Sequence, residues 1–85
     1  MPKSVFTDAY RELLDLLVET RKTAGVTQVE LAERLGRPQP FISYFERGER
    51  RVDVIEFVAI ARALGIEPPV LFAKLVARLP DKIEI

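Results

Sequence analysis

Four glycines divide this chain into segments that are long enough for short helices. Gly25, Gly36, Gly48 and Gly65 lie 11, 12 and 17 residues apart. Within the segments apolar residues recur at every third or fourth position, as in amphipathic helices, whereas a half-buried strand would have them at every second position. The pattern therefore predicts a small all-α domain of several short helices.

The first two predicted helices have clear ends in the sequence. The first covers residues 7 to 23, and Gly25 follows it as a C-terminal stop. Thr27 and Glu30 have the spacing of a capping box, in which each side chain accepts a hydrogen bond from the other residue's backbone amide. They indicate a short second helix that ends at Gly36.

Two prolines bracket the start of a third helix. Pro38 and Pro40 are compatible with a first helical turn, because amides there have no partner within the helix. Gly48 ends this helix. Two short helices joined by a few residues, the second amphipathic and ended by glycine, have the outline of a helix-turn-helix.

A second capping pair opens the fourth helix. Asp53 and Glu56 have the required spacing, and Gly65 ends the helix. The apolar residues that it is expected to contribute to the core are Val54, Phe57, Val58, Ile60, Ala61 and Leu64.

The predicted domain closes with a fifth helix. Glu67 and Pro68 are its expected N-cap and first-turn proline. The helix is expected to run from Pro69 to about Leu79. The domain thus covers residues 7–79, between an N-terminal tail at 1–6 and a C-terminal tail at 80–85. The C-terminal tail alternates apolar and charged residues, so it is either frayed or a short strand.

Composition excludes several kinds of site. The chain has no cysteine and no histidine. Disulfides, the two ligand types that zinc favours and the commonest general base are therefore missing. We expect no metal, no cofactor and no enzymatic activity.

The charges are balanced overall but unevenly placed. Thirteen basic residues offset thirteen acidic ones, a mild argument against nucleic acid, since duplex binders usually carry a basic excess. Residues 34–51, however, carry five arginines against two glutamates, which is a local charge of +3.

The longest uncharged stretch has eight residues, whereas a membrane span needs about 20. No signal-peptide core follows Met1, so we expect no membrane association and a cytoplasmic location.

One motif carries more information than the helix pattern. Residues 27–36 read TQVELAERLG, and Gln39, Ile42-Ser43 and the triplet ERG at 46–48 follow. This pattern resembles the Cro and lambda-repressor-like helix-turn-helix family, also called the xenobiotic-response-element family, and the resemblance extends over about residues 13 to 72. It implies a compact five-helix domain that binds double-stranded DNA, with the third helix in the major groove.

The resemblance also implies roles for individual residues. The base-contacting residues would be Gln39, Pro40, Ser43 and Tyr44. The phosphate-contacting residues would be Gln28, Arg37, Arg47, Arg50 and Arg51. A structural ion pair between Arg21 and Glu46 would join the first helix to the end of the third. The chemistry agrees, because a glutamine amide can pair with adenine N6 and N7, and arginines supply sequence-independent affinity for phosphates.

Several positions depart from the family pattern. Pro38 replaces the usual Ser or Thr cap, and Pro40 can contact a base only through apolar atoms. Phe41 is large for its position and is expected to pack on the second helix or to touch a thymine methyl group. Glu49 stands where a basic residue is common, and Val52 where a proline is. These departures bear on sequence preference more than on the fold.

The fifth helix is apolar on nearly every side and therefore requires burial on two sides. We expect one side to join the core and the other to form a homodimer interface through Val70, Phe72, Val76 and Leu79. Burial within the domain alone is the alternative.

The pattern as a whole favours a homodimeric, sequence-specific transcriptional regulator that acts on a near-palindromic operator. The alternative is a helix-turn-helix fold that serves only protein–protein contacts, as an antitoxin-like or scaffold subunit. The zero net charge, Glu49 and the aromatic residues of the third helix favour this alternative slightly.

Overall fold

The computed structural model describes residues 7–85, and this part of the chain contains five helices and no strand. The helices are α1 (Asp8–Thr23), α2 (Gln28–Leu35), α3 (Gln39–Glu46), α4 (Val54–Ala63) and α5 (Pro68–Arg78). The prediction of an all-α, five-helix domain is therefore confirmed.

Of the two predicted tails, the structure describes only the C-terminal one. Residues 1–6 lie outside the described residues. Residues 80–85 follow α5 without forming a helix or strand, so the short strand considered for this tail does not form.

Side-chain caps start three of the helices. The Thr7 hydroxyl accepts from the Tyr10 amide at the start of α1. Both predicted capping boxes are present, with Thr27 and Glu30 at the start of α2 and Asp53 and Glu56 at the start of α4. These local bonds satisfy first-turn amides that have no partner within the helix.

The two helices that have proline in their first turn, α3 and α5, have no side-chain cap. Pro38 occupies the N-cap position of α3, and Glu67 occupies that of α5. Glu67 has the predicted position but makes no capping hydrogen bond, and α5 begins at Pro68, one residue earlier than predicted.

One hydrophobic core joins all five helices. Its fully buried large side chains are Leu14, Leu17, Leu31, Ile42, Phe45, Ile60 and Leu71. α2 packs against α3 and α4, and α1 packs against α3 and α5. The helix-turn-helix therefore rests on a scaffold of α1, α4 and α5.

Val54 does not belong to this core, although the sequence pattern placed it there. It is 76 % exposed, and Val58 is only half-buried. Val54 is the first residue of α4, and helical side chains lean toward the N-terminus, so its side chain lies beyond the packed part of the helix.

Candidate nucleic-acid interface

The helix-turn-helix consists of α2, α3 and the three residues between them. Gly36 ends α2 in the left-handed conformation (φ +67°), which glycine adopts without steric cost. Ile42 and Phe45 are completely buried and fix the inner side of α3 to the core. The opposite side of α3 therefore faces outward.

This outward side carries the four residues predicted to contact bases. Gln39, Pro40 and Tyr44 are exposed, and Ser43 is half-buried. They share one side because residues four apart on a helix are neighbours. The structure thus brings the predicted base-contacting residues together on one accessible surface.

A buried ion pair fixes the far end of α3 to α1. Arg21 Nε lies 2.6 Å from Glu46 Oε2, and Arg21 Nη2 donates to Glu46 Oε1 at 3.0 Å. The two side chains are only 10 % and 7 % exposed. Arg21 Nη1 also donates to the Val26 carbonyl at 2.9 Å, so the guanidinium joins three segments of the chain.

The ion pair continues as a chain of hydrogen bonds to the start of α3. Gln28 Nε2 donates to Glu46 Oε1 at 2.8 Å, and Gln39 Nε2 donates to Gln28 Oε1 at 2.7 Å. A carboxylate only accepts, so Gln28 must present its NH₂ group to Glu46 and its oxygen to Gln39. The Gln39 amide is oriented in turn, and within residues 7–85 its oxygen and second N–H have no hydrogen-bond partner.

Such an amide matches one base edge. Adenine presents an N6 donor and an N7 acceptor in the major groove, and a glutamine amide pairs with both. The geometry therefore gives the predicted base-reading residue a defined orientation before any ligand is present.

Two arginines hold the α3–α4 loop. Arg50 donates to both carboxylate oxygens of Glu56, at 2.7 and 3.0 Å, and its Cζ lies 4.5 Å from the centre of the Phe41 ring. The hydrogen bonds from Arg50 lower the pKa of the Glu56 carboxyl below its ordinary value. Arg51 Cζ lies 4.5 Å from the Tyr10 ring centre.

The remaining predicted phosphate ligands differ in their charge partners. Arg47 pairs with Glu49 at 3.0 Å, with both side chains more than half exposed, and its Cζ lies 5.7 Å from the Tyr44 ring centre. Arg37 is exposed, lies 5.5 Å from the Phe41 ring centre, and forms no salt bridge with any residue from 7 to 85. The cations thus flank α3 at both of its ends.

Phe41 packs inside the domain. Its ring lies edge-on to Phe45 at a centroid distance of 5.9 Å, and it lines a groove between α3 and α4 with Leu35 and Ile55. Phe41 is half-buried, and the guanidinium groups of Arg37 and Arg50 lie over its ring.

A comparison with protein families decides what kind of domain this is. A family model described as helix-turn-helix matches residues 17–71, more than half of the chain. The chain belongs to the Cro/C1-type helix-turn-helix family. Curated relatives of this family are named HTH-type transcriptional regulators.

Solved structures in the Cro/C1-type family share the fold. An XRE-family like protein from Pseudomonas syringae is 56 % identical, with a TM-score of 0.79, over 85 % of this chain and 88 % of that chain. The restriction-modification controller protein C.AhdI from Aeromonas hydrophila is 33 % identical, with a TM-score of 0.67, over 79 % of this chain and 100 % of that chain.

Curated relatives match part of the chain. An uncharacterised HTH-type transcriptional regulator from Methanothermobacter thermautotrophicus is 46 % identical over 52 residues, which are 61 % of this chain and 75 % of that protein. Two relatives from Mycobacterium tuberculosis are longer, and the matched segment spans 39 % of their length.

Outside the helix-turn-helix of this Cro/C1-type domain, α5 presents an apolar outer side. Val70, Phe72 and Val76 are each about half exposed, at 49 %, 54 % and 52 %. The Phe72 ring lies edge-on to Phe57 of α4 at 6.0 Å. Leu79, predicted to belong to the same interface, is half-buried against the domain's own core.

No helix in residues 7–85 is long and apolar enough to cross a membrane.

Sequence reasoning missed two contacts that support this site. The Tyr10 hydroxyl accepts from the Val52 amide at 2.8 Å and so ties the α3–α4 loop to α1. Glu56 was identified as a cap, but its pairing with Arg50 was not. Residues 10 and 52 are far apart in the chain, and no local pattern connects them.

Proposed function

We propose that this chain is a sequence-specific DNA-binding transcriptional regulator that acts as a homodimer on a near-palindromic operator. The observation that carries the proposal is the hydrogen-bonded amide pair of Gln28 and Gln39 at the exposed start of α3. An oriented amide on a helix that fits the major groove is suited to reading adenine. The proposed base-contacting residues are Gln39, Pro40, Ser43 and Tyr44.

The charges around α3 support phosphate binding. Gln28 is the first residue of α2, where a helix N-terminus favours anions. Arg37, Arg47 and Arg51 flank the reading surface, and each would add sequence-independent affinity by releasing counterions from the duplex. The family resemblance groups Arg50 with them, but Arg50 is bonded to Glu56 of α4.

The outer side of α5 supports the homodimer. Val70, Phe72 and Val76 leave an apolar surface on a small domain, and burial against a second copy would remove it from water. A twofold dimer would place two α3 helices in successive major grooves, about 34 Å apart. The operator would then be a near-palindrome, and the protein would work in the cytoplasm, where the DNA of a bacterial or archaeal cell lies.

Two ion pairs favour a second candidate, a helix-turn-helix fold used only for protein contacts. Glu49 and Glu56 offset the charges of Arg47 and Arg50, so that part of the basic surface is neutralised within the domain. We place this candidate second because the oriented Gln39 amide matches the adenine edge and the charge of Arg37 attracts phosphate.

A duplex titration distinguishes the two candidates. Fluorescence anisotropy with a labelled 20–30 bp random duplex (about two to three helical turns) should give salt-dependent binding, with log K falling as log salt rises. The protein-contact function is favoured instead if binding at physiological salt is weaker than about 10⁻⁴ M, the weak end of non-specific affinity.

A further inference from the structure

Arg50 makes contacts that join separate elements of the domain, whereas Arg47 pairs with Glu49, two residues away in the chain. Its Nη1 donates to the Arg51 carbonyl at 2.7 Å and to Glu56 Oε1 at 3.0 Å, while its Nη2 donates to Glu56 Oε2 at 2.7 Å. The guanidinium also lies on the Phe41 ring. Three of its five N–H groups and one contact with a ring are therefore used inside the domain.

These contacts connect three elements at one point. Glu56 belongs to the capping box of α4, and the same Oε1 atom accepts from the Asp53 amide at 2.9 Å. Phe41 belongs to α3, next to the proposed base-contacting residue Pro40. The Arg51 carbonyl belongs to the loop between the two helices. Arg50 thus fixes the loop both to α3 and to the start of α4.

The pair of Arg47 and Glu49 provides the contrast. Those side chains are 56 % and 55 % exposed, and neither joins α3 to α4. The side chains of Arg50 and Glu56 are 40 % and 21 % exposed. A phosphate could displace Glu49 from Arg47 without disturbing the fold. Displacing Glu56 from Arg50, by contrast, would remove the hydrogen bonds that hold the loop against α4.

We propose that Arg50 is a positioning residue for the DNA-binding surface and not a phosphate ligand. It holds Phe41, and through it α3, in register with the loop that carries Arg51. The proposal rests on the DNA-binding function proposed above and revises the role that family resemblance alone gave to Arg50. A planar, two-nitrogen fork is required for this role, and a lysine ammonium cannot supply it.

The test compares the parent chain with Arg50→Gln, Arg50→Lys, Glu56→Gln and the control Arg47→Gln. Binding to a preferred duplex and to a random duplex is measured over a range of salt, well below each variant's melting temperature. Circular dichroism confirms that each variant is folded. A role in stability alone would leave the affinity of a fully folded variant unchanged, so the affinity separates positioning from stability.

The proposal predicts that Arg50→Gln and Arg50→Lys both weaken binding to the preferred duplex, by on the order of fivefold. The ratio of the affinity for the preferred duplex to the affinity for the random duplex falls. The slope of log K against log salt concentration, called the salt slope here, is unchanged. Glu56→Gln weakens binding as well, even though it removes a negative charge. Arg47→Gln, by contrast, lowers the salt slope by about one.

The opposite pattern overturns the proposal. If Arg50 is a phosphate ligand, Arg50→Lys retains the parent affinity, Arg50→Gln lowers the salt slope by about one, and Glu56→Gln tightens binding. Hydrogen exchange in the free protein gives an independent measurement, because Arg50→Gln should accelerate exchange at amides 49–53 but not in α1. Unchanged loop exchange would contradict the positioning role. Failure of the parent chain to bind any duplex would instead overturn the proposed function itself, a result distinct from any difference between variants.

Discussion

Gln28 holds the side chain of Gln39 through a 2.7 Å hydrogen bond from Gln39 Nε2 to Gln28 Oε1. Gln28 is itself oriented by Glu46, and Glu46 by Arg21. The amide proposed to read a base is therefore positioned by a buried charge at the opposite end of α3. This arrangement makes specificity depend on residues that need not touch DNA.

The two glutamines should be energetically coupled in DNA binding. Gln39→Ala should cost about 1–3 kcal/mol on the preferred duplex and little on random DNA, because it removes a base contact. Gln28→Ala should also reduce the preference, since Gln39 then loses its orientation. A double-mutant cycle should give a coupling of about 0.5–3 kcal/mol, as for residues in one hydrogen-bond network. Additive losses would mean that the two side chains act independently.

The ion pair of Arg21 and Glu46 should be essential for stability. Glu46→Ala leaves Arg21 charged, buried and unpaired, at a cost of about 3–5 kcal/mol. In a domain of this size that loss should lower the melting temperature by more than about 10 °C. Glu49→Ala is the matched control, because it removes an exposed carboxylate and should cost about 0–1 kcal/mol. Thermal denaturation followed by circular dichroism measures both, and equal melting temperatures for the two variants would refute the prediction.

Acid should destabilise the domain through three carboxyl groups. Hydrogen bonds from Arg78 and Arg50 lower the pKa values of Glu19 and Glu56, and hydrogen bonds from Thr27 lower that of Glu30, each from an ordinary 4.5. The unfolded chain therefore binds protons more readily. The stabilisation is fully present above pH 4.5 and is lost as pH falls through the lowered folded-state values. Melting temperature should fall as the pH is lowered below 4.5, and less steeply in Glu19→Gln. A melting temperature that stays constant over this range would show that these bonds contribute nothing.

The outer side of α5 should mediate self-association. Val76→Glu places a charge on the proposed interface, and burying an unpaired charge there is strongly unfavourable. Because Val76 is half exposed, the monomer fold should survive. Sedimentation at micromolar concentration should show a dimer for the parent chain and a monomer for Val76→Glu. Glu33→Lys, a charge change at an exposed position on α2, serves as the control and should remain dimeric. A parent chain that is monomeric up to about 1 mM, an affinity of only about −4 kcal/mol, would exclude this interface.

The sequence predicted the features that depend on local chemistry. The capping boxes of α2 and α4 follow from residues three apart, and the left-handed end of α2 follows from Gly36. Contacts set by tertiary packing were not predictable in this way. The bond from the Val52 amide to Tyr10, the stacking of Arg50 on Phe41, and the exposure of Val54 all depend on how the helices are placed relative to one another. The pairing of Arg21 with Glu46 was expected only because the motif resembles a known family.

Selection of bound duplexes from a random pool tests the central claim most directly, because it reports sequence preference, dimerisation and half-site spacing together. The account predicts enrichment of a near-palindrome whose half-sites lie about 10–10.5 bp apart, centre to centre. The preference at one base pair of each half-site should disappear when the selection is repeated with Gln39→Ala. Recovery of an unenriched pool by the folded parent chain would contradict the account and would favour a helix-turn-helix used for protein contacts.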